Sequence, residues 1–281
     1  MGLAIGWAMC HIFWAVQVAG ALPFPQIVII VMFNQIGNGP RYGQFHGLAS
    51  ESLAHGVFSR QGGVSAGPYH SLNLSFGVGD DPAAVLANRE EIKRVLGLTT
   101  LVSARQVHGD RIMCITAEPE GDFEAEGYDA LITNCRIGLM IQQADCQAVI
   151  IHDPDGPALG VAHVGWRGSV AGILGATVRA MTEAFGTDPA RLRAAISPSL
   201  GRCCAEFINY RSELPAWMHD FQGHPNHFDF PAISVRQLEE AGLRTERISL
   251  AELCTRCSPD YFSYRRDRVT GRFATVAALV G

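Results

Sequence analysis

Short apolar runs separated by turn-forming residues are the feature that most restricts the fold of this chain. Each run is bounded by Gly, Pro, Asp or Asn, a pattern that is typical of strands ending in turns. The runs predict β-strands at Gly56–Ser59, Arg111–Ile115, Asp129–Thr133, Gly138–Gln142, Ala148–Ile151 and Leu159–His163. So many short strands within one continuous stretch of sequence predict a β-sheet as the centre of the fold.

Helical patterns alternate with these strands. Helices are predicted at Ala83–Leu96, Ser169–Phe185, Pro189–Ala195 and Val235–Ala241. Pro82 and Gly97 bracket the first of them, and Ser169 is predicted to be the N-cap of the second. Because strands and helices do not alternate strictly, we expect an α+β fold. From Phe45 onward there is no linker, which predicts a single domain with mixed β-sheet layers flanked by helices.

The N-terminal stretch has a different composition, because no Asp, Glu, Lys or Arg occurs before Arg41. It contains two apolar runs, 1–22 and 27–33, and the first is long enough to span a bilayer. No basic residue precedes that run, as a secretory signal would require. A membrane anchor and an extension created by an early start codon are the alternatives. We favour an extension at 1–50, a catalytic domain at 51–281 and a cytoplasmic location.

Charge and cysteine content exclude two classes of protein. The formal net charge of −5 comes from 27 acidic and 22 basic residues, which argues against broad neutralisation of nucleic-acid phosphates. Eight cysteines in 281 residues do not form a disulfide scaffold, so their positions have to be considered individually. We therefore expect an enzyme that acts on a small molecule, with no nucleic-acid partner and no membrane partner.

Three segments at strand ends, 106–110, 144–146 and 162–168, concentrate chemically active side chains. They contain His108, Cys146 and His163, which together offer two imidazoles and a thiolate. Such a set suits Zn²⁺ with an open fourth position, and copper accepts the same ligands. Two surface histidines and a buried free cysteine are the alternative, because the spacing matches no compact zinc-binding pattern.

Four further residues near these segments are candidates for the site. Arg167 precedes the helix predicted at Ser169, where an anion such as phosphate would bind, although a surface ion pair is the alternative. Asp145 is a candidate proton acceptor, a candidate partner for a ligating histidine, or part of a salt bridge. Asn73 and Gln106 are candidate substrate-binding residues, and Asn73 alternatively closes its own turn.

A second group of thiols has two interpretations. Cys203 and Cys204 with Cys254 and Cys257 offer the four sulfur ligands of a structural zinc site. In a strand, however, adjacent cysteines point in opposite directions, which favours ordinary buried thiols. The remaining histidines are predicted to lie on the surface or in loops: His152, His219, His224 and His227.

Further short motifs occur in order along the chain, at Gly62–Ser65, Ser71–Leu74, Val78–Asp81, Asn88–Arg89, Phe262–Asp267 and Thr270–Arg272. With the three segments above, they resemble the YfiH family, whose members are also called laccase-domain proteins, multicopper polyphenol oxidases and peptidoglycan editing factors. The resemblance extends from His55 to Leu279. It implies a single-domain fold with mixed β-sheet between helices, and a metal bound by the residues that match His108, Cys146 and His163.

The resemblance implies several activities. One is that of a zinc-dependent purine nucleoside phosphorylase, acting on adenosine, inosine, guanosine and 5′-methylthioadenosine, with adenosine deaminase activity. The alternatives are hydrolysis of a muramoyl-serine amide in peptidoglycan precursors and laccase-like oxidation of phenols. Ten histidines without a His-X-His pair disfavour a multicopper cluster. Gln143, Arg202 and Ala205 depart from the family pattern, which puts substrate preference in doubt more than activity.

Overall fold

The computed structural model describes residues 31–35 and 37–281, which contain fifteen β-strands and six α-helices. The strands are β1 Val31–Gln35, β2 Arg41–Phe45, β3 Leu53–Phe58, β4 Leu101–Arg105, β5 Ile112–Ile115, β6 Phe123–Glu126, β7 Ala130–Thr133, β8 Gly138–Gln143, β9 Gln147–Asp153, β10 Ala158–Val164, β11 Arg193–Ile196, β12 Gln222–His224, β13 His227–Phe228, β14 Ile248–Leu250 and β15 Phe273–Leu279. The helices are α1 Pro82–Leu96, α2 Trp166–Ala171, α3 Ile173–Phe185, α4 Tyr210–Glu213, α5 Phe230–Glu240 and α6 Tyr264–Asp267.

Two large mixed sheets pack against each other. The first has the strand order β1-β2-β3-β15-β8-β4-β6, and the second has the order β14-β11-β9-β10-β7-β5. Strand β8 of the first sheet continues through a short turn into β9 of the second, and β4 leads through a loop into β5. The two connections therefore cross from one sheet to the other, and chemically active residues lie on both.

Side-chain alternation in β10 shows how the layers are arranged. Leu159 and Val161 belong to the core between the two sheets, whereas Ala162 faces the core on the outer side of the second sheet. Because successive residues of a strand point to opposite faces, His163 lies on the face shared by Leu159 and Val161. The strand thus delivers His163 to the end of the layer between the sheets.

The helices cover the outer faces of the two sheets. Val178 of α3 and Leu238 of α5 pack in one cluster with Ile151 of the second sheet. Ile92 of α1 packs with Met140 on the outer face of the first sheet. The order helix, sheet, sheet, helix confirms the predicted α+β class, in which mixed sheet layers are flanked by helices.

All six predicted strands are present, but two helix predictions are wrong. The segment 189–195 is not a helix, because Arg193–Ile196 forms β11 between β9 and β14. The helix predicted from Ser169 begins earlier, at Trp166, and is interrupted at Gly172, which has a left-handed φ of 77°. Ser169 is buried within α2 and is not its N-cap, because Gly165 is the residue that precedes the helix.

Part of the segment predicted to be an extension belongs to the fold. Strand β2 pairs with β3, and Phe45 and Leu48 are buried in the core between the sheets. Part of the predicted extension at 1–50 therefore packs with the residues that follow it. The choice between a membrane anchor and an extension concerns residues 1–30, which lie outside the described residues. Within the described ranges, no helix has the length and apolar character needed to cross a membrane.

The prediction for His152 is wrong. It lies in β9 and is fully buried, with neither ring nitrogen hydrogen-bonded to any described residue. Burial lowers the pKa of His152, Asp153 opposes the change, Arg193 adds to it, and the resulting pKa is about 4. The imidazole is therefore neutral in the folded protein near pH 7.

Candidate metal centre and cavity

The predicted triad comes together where the two sheets meet. His108 lies in the loop after β4, Cys146 in the turn between β8 and β9, and His163 near the end of β10. Their ligand atoms all lie within 4.8 Å of one another. Cys146 Sγ is 3.9 Å from His108 Nε2, and the two imidazole rings are nearly perpendicular with centroids 4.9 Å apart.

Asp129 fixes two of the three predicted ligands, although it is not among the residues predicted from the sequence. Its fully buried carboxylate accepts a hydrogen bond from His163 Nδ1 at 2.8 Å. It also accepts the backbone N–H groups of Val107, His108 and Gly109, at 3.2, 2.9 and 2.7 Å. One carboxylate thereby orients the His163 ring, with Nε2 toward the centre, and holds the loop that carries His108. The only signal in the sequence was an acid immediately before an apolar strand.

The charges of the buried groups follow from these contacts. Burial raises the pKa of the Cys146 thiol, but His163 and His108 more than offset it and hold that pKa below its usual value. Burial lowers the pKa of His163, but Cys146 and Asp129 more than offset it and hold that pKa above its usual value. The site therefore favours a thiolate at Cys146, which is the form that binds a metal ion.

Gly165 leaves the space in front of the triad open. A Cβ atom at this position would lie 3.0 Å from His108 Cδ2, 3.3 Å from Cys146 Sγ and 3.6 Å from His163 Cε1. The backbone of Gly165 has φ −82° and ψ 170°, which any residue can adopt. Glycine is therefore explained here by space rather than by conformation, and the space adjoins all three ligands. Two imidazoles and a thiolate in this arrangement fit the three-ligand set of a metal with an open position.

Two residues of the ligand segments have left-handed backbone conformations. The φ of His108 is 62° and that of Asp145, next to Cys146, is 93°. Non-glycine residues seldom adopt such angles, although Asp and His do so more often than most. Both residues lie where the chain passes from one sheet to the other, so these turns deliver the ligands at a local conformational cost.

A cavity of about 870 Å³ adjoins the triad, and all three ligands line it. Its aromatic lining residues are Phe76, Trp166, Phe207, Phe230 and Tyr264. Its charged lining residues are Arg105, Glu124, Asp145, Arg265 and Arg272. A concave space of this size, lined by aromatic and polar side chains beside a candidate metal centre, is typical of a small-molecule site.

Asp145 lines the cavity but does not contact a ligating histidine among the described residues. Its carboxylate accepts a hydrogen bond from Thr255 Oγ1 at 2.7 Å and one from the backbone N–H of Arg265 at 2.6 Å. The predicted partner of a ligating histidine is therefore Asp129 instead. Asp145 joins the turn that carries Cys146 to the segment that carries Arg265.

The predicted substrate-binding residues Gln106 and Asn73 are engaged with the backbone. Gln106 lines the cavity, but its amide donates to the carbonyl of Gln142 and accepts from the N–H of the same residue. Asn73 is fully buried and closes its own turn by accepting the N–H of Ser75, which was the alternative for it. Its Oδ1 also accepts the N–H of Arg272 at 2.8 Å, so Asn73 supports a residue that lines the cavity.

Arg167 is exposed and is not among the cavity-lining residues. Its guanidinium lies over the Trp166 ring, 4.5 Å from the centroid. Of the cationic residues that line the cavity, Arg105 pairs with Glu126, which leaves Arg265 and Arg272, both at positions of recognised motifs. Backbone carbonyls hold both guanidiniums, and no carboxylate within the described ranges lies at ion-pair distance from either.

Comparison with known proteins identifies the family of this chain. The family model described as multi-copper polyphenol oxidoreductase laccase matches residues 54–280. A Streptomyces coelicolor protein named purine nucleoside phosphorylase is 42% identical over 228 residues, which cover 78% of this chain and 92% of that protein. The Bacillus subtilis purine nucleoside phosphorylase YlmD is 31% identical, with 83% of this chain and 89% of that protein covered.

Solved structures share the fold over almost their whole length. The crystal structure of YlmD from Geobacillus stearothermophilus superposes with a TM-score of 0.78 at 29% identity, covering 89% of this chain and 99% of that chain. The Bacillus licheniformis hypothetical protein YfiH gives a TM-score of 0.78 at 28% identity, covering 88% and 99%. Since the family model and relatives of more than 30% identity both span most of the chain, this protein belongs to the laccase-domain family that includes YfiH and YlmD.

Proposed function

We propose that this protein is a zinc-dependent purine nucleoside phosphorylase acting on adenosine, inosine, guanosine and 5′-methylthioadenosine, with adenosine deaminase activity. The observation that carries the proposal is the placement of a three-ligand metal centre beside two arginines without carboxylate partners, in one cavity. The relatives named purine nucleoside phosphorylase support the same reaction class.

The arginines provide a site for phosphate. Arg265 donates to the carbonyls of Cys204 and Glu206, and Arg272 donates to those of Thr270 and Gly271. Carbonyl groups orient a guanidinium without neutralising its charge, so both arginines stay available to an anion that enters the cavity. This assignment replaces Arg167 by Arg265 and Arg272 as the phosphate-binding residues.

The aromatic side chains provide a surface for the purine. Phe207 contacts Trp166 and Phe230, with ring centroids 6.2 and 4.9 Å apart, so the three rings form one continuous apolar part of the lining. Planar bases stack on such rings. A nucleoside with its base against this surface would have its ribose in the cavity that the arginines and the triad also line.

His108, Cys146 and His163 would hold the metal, and zinc suits their soft and borderline donor atoms. When bound there, zinc supplies a Lewis acid to the cavity. Asp129 fixes the ring of His163, while Asp145 positions Arg265 through its backbone N–H. In phosphorolysis a phosphate oxygen bonds to C1′ of the ribose, the bond from C1′ to the base breaks, and the base takes the bonding electron pair and a proton.

Release of the free base tests the proposal. Purified, metal-analysed protein is incubated with adenosine, inosine, guanosine or 5′-methylthioadenosine, with and without phosphate, and the products are separated by chromatography. We expect phosphate-dependent release of base and a ribose 1-phosphate product, together with phosphate-independent conversion of adenosine to inosine. Cys146→Ala is expected to abolish these activities and to remove metal from the triad while the protein remains folded.

Substitution of the arginines tests the phosphate site. We expect Arg272→Met and Arg265→Met each to raise KM for phosphate by about 10- to 100-fold, the range for a lost charged hydrogen bond, without loss of metal. Arg167→Met is the matched control and should leave that KM unchanged. If Arg167→Met alone raises KM for phosphate, Arg167 binds the phosphate and the assignment to Arg265 and Arg272 is contradicted.

The alternative activities are outcomes of the same experiment. No base release from folded, metal-loaded protein would contradict the proposal and favour hydrolysis of a peptidoglycan-precursor amide, which needs no phosphate. Oxidation of phenols by copper-loaded protein would favour the laccase alternative. The triad contains only two histidines, and the other possible ligand group of the described residues contains none. This distribution of ligands favours the phosphorylase over a multicopper oxidase.

A further inference from the structure

The second thiol group forms a compact cluster of Cys203, Cys204, Cys254 and Cys257. Their four Sγ atoms all lie within 4.8 Å of one another. Cys257 Sγ is 3.7 Å from Cys203 Sγ and 3.5 Å from Cys204 Sγ. With Zn–S bonds of about 2.3 Å, the sulfurs of a tetrahedral site lie about 3.8 Å apart. The cluster therefore already has nearly the dimensions of a four-thiolate zinc site.

The backbone explains how adjacent cysteines can serve one centre. Residues 201–204 form a turn, in which the N–H of Cys204 and that of Ala205 both donate to the carbonyl of Gly201. The expectation that Cys203 and Cys204 point in opposite directions applies to a strand, and it is wrong here. Both sulfurs approach Cys257, which a turn permits because its successive side chains do not alternate across a plane.

Backbone hydrogen bonds fix the two segments of the cluster relative to each other, independently of the cysteine side chains. Ser199 and Cys254 form a parallel β-bridge, with hydrogen bonds from Ser199 N to Leu253 O and from Thr255 N to Ser199 O. Backbone hydrogen bonds therefore hold the two segments, and with them the four thiols, side by side.

We propose that Cys203, Cys204, Cys254 and Cys257 bind a structural Zn²⁺ ion, separate from the metal of the triad. Four thiolates close the coordination sphere of zinc and leave no position for a substrate, which distinguishes a structural from a catalytic site. The inference depends on the geometry of the cluster alone and not on the proposed function. The ligands of the zinc ion would be four deprotonated thiols, so zinc binding releases their protons.

The position of the cluster indicates what the ion does. Ser199, Leu200 and Ala205 of the first segment line the cavity, as does Arg265, which follows the second segment. The guanidinium of Arg265 donates to the carbonyl of Cys204 at 3.2 Å. An ion that joins the two segments therefore holds one wall of the cavity and the carbonyl that orients Arg265.

The test uses the full chain with the triad disabled, purified under reducing conditions from zinc-supplemented cells. Cys146→Ala removes one triad ligand, and we expect this variant to retain about one zinc ion per chain. X-ray absorption at the zinc edge should show four sulfur neighbours at about 2.3 Å. Folded Cys146→Ala protein without zinc, or with zinc bound mainly by nitrogen and oxygen, would overturn the proposal.

A second pair of variants checks the ligands directly. Cys257→Ser changes an exposed ligand, and we expect it to lose one zinc equivalent and to keep the triad metal. Cys114→Ser is the matched control, because Cys114 is also an exposed thiol but lies outside the cluster. Unchanged zinc content in folded Cys257→Ser protein would contradict the proposal, as would a disulfide within the cluster of the freshly reduced and purified protein. If the triad binds no metal, the zinc content of the Cys146→Ala protein still reports on the four-cysteine cluster. Failure of the proposed function can therefore be distinguished from failure of this proposal.

Discussion

The two ligand groups of this protein are built in opposite ways. The triad draws its ligands from the ends of strands in two different sheets, and a buried carboxylate outside the group orients two of them. The four-cysteine cluster draws its ligands from two neighbouring turns, which the backbone bridge between Ser199 and Cys254 joins. One group has a free side lined by Gly165, whereas the other is closed by its own four sulfurs.

This difference distinguishes a group suited to catalysis from a group suited to stabilising the fold. Three ligands that face a cavity leave a metal accessible to substrate, and the orientation of each ligand then matters for activity. Four thiolates that enclose an ion make it inaccessible and stabilise the segments that carry them. We therefore expect that changes near the triad alter activity and leave the cluster intact, whereas changes near the cluster alter its zinc content first.

Asp129→Asn is expected to have the largest effect. Each carboxylate oxygen accepts two N–H groups, so an amide nitrogen in either position faces two donors and loses both bonds. We expect activity or affinity for the triad metal to fall about 100-fold, the upper end of the range for groups that orient metal ligands. Enzyme assays at several metal concentrations and metal analysis of the dialysed protein measure the two quantities.

The control for Asp129→Asn is Asp122→Asn, which also changes a carboxylate that accepts a backbone N–H, here that of Leu101. It lies outside the triad and should leave triad metal and activity unchanged. In both variants the zinc of the four-cysteine cluster should remain. Equal losses of metal from the two ligand groups in Asp129→Asn would show that the carboxylate stabilises the whole fold rather than the triad.

The triad and its supporting carboxylate differ in how far the sequence predicts them. His108, Cys146 and His163 follow short strands and match family motifs, so both kinds of reasoning lead to them. Asp129 precedes an apolar strand and gave no local sign that its side chain turns toward a loop 20 residues away in sequence. Its role depends on the pairing of β7 with β10, which only the assembled sheet establishes.

The proposed reassignment of the anion site from Arg167 to Arg265 and Arg272 has a similar explanation. Helical periodicity identified most of 169–185 as helical, but it predicted the wrong start and did not detect the separate helix α2 or the left-handed Gly172 that ends it. Arg265 and Arg272 were within recognised motifs, but their place in the cavity depends on contacts with the distant Cys204 and Asn73. Local patterns thus predicted the layers and the ligands, whereas the contacts between distant loops required the structure.

Two glycines allow the same substitution to be compared in both groups, with a smaller expected effect. In Gly165→Ala the new methyl group crowds His108 and Cys146, and in Gly201→Ala it lies 3.0 Å from Cys254 Cβ. We expect about tenfold weaker metal binding at the group concerned, the lower end of the range for disturbed ligand orientation. Metal analysis after dialysis against graded chelator concentrations measures both sites.

The outcome of this comparison depends on which group loses its metal. Gly165→Ala should lower the activity and the metal content of the triad and keep the zinc of the four-cysteine cluster. Gly201→Ala should lose the zinc of the cluster first and keep the metal of the triad. The φ of neither glycine lies in the left-handed region, so backbone strain does not confound the comparison. If both variants lose the same metal, the two groups form one coupled site and the distinction between them fails.

His152 gives the smallest expected effect and shows what the partners Cys146 and Asp129 do for the imidazole of His163. His163 has a carboxylate partner and a raised pKa, whereas His152, in the neighbouring strand, has no hydrogen-bond partner among the described residues and a pKa of about 4. In the unfolded chain its pKa is about 6.5, so between these values the unfolded state binds more protons. Stability is therefore fully present above about pH 6.5 and is lost as the pH falls toward 4, by about 1.4 kcal/mol per pH unit.

Urea unfolding at several pH values between 4 and 7 measures this contribution as the difference between wild type and His152→Leu. The difference removes effects that both proteins share, including loss of metal in acid. We expect the free energy of unfolding of His152→Leu to fall less steeply with decreasing pH, and His224→Leu, at an exposed position, to retain the wild-type slope. Parallel slopes for wild type and His152→Leu would mean that the buried imidazole has a partner that stabilises its charged form, and the contrast with His163 would then disappear.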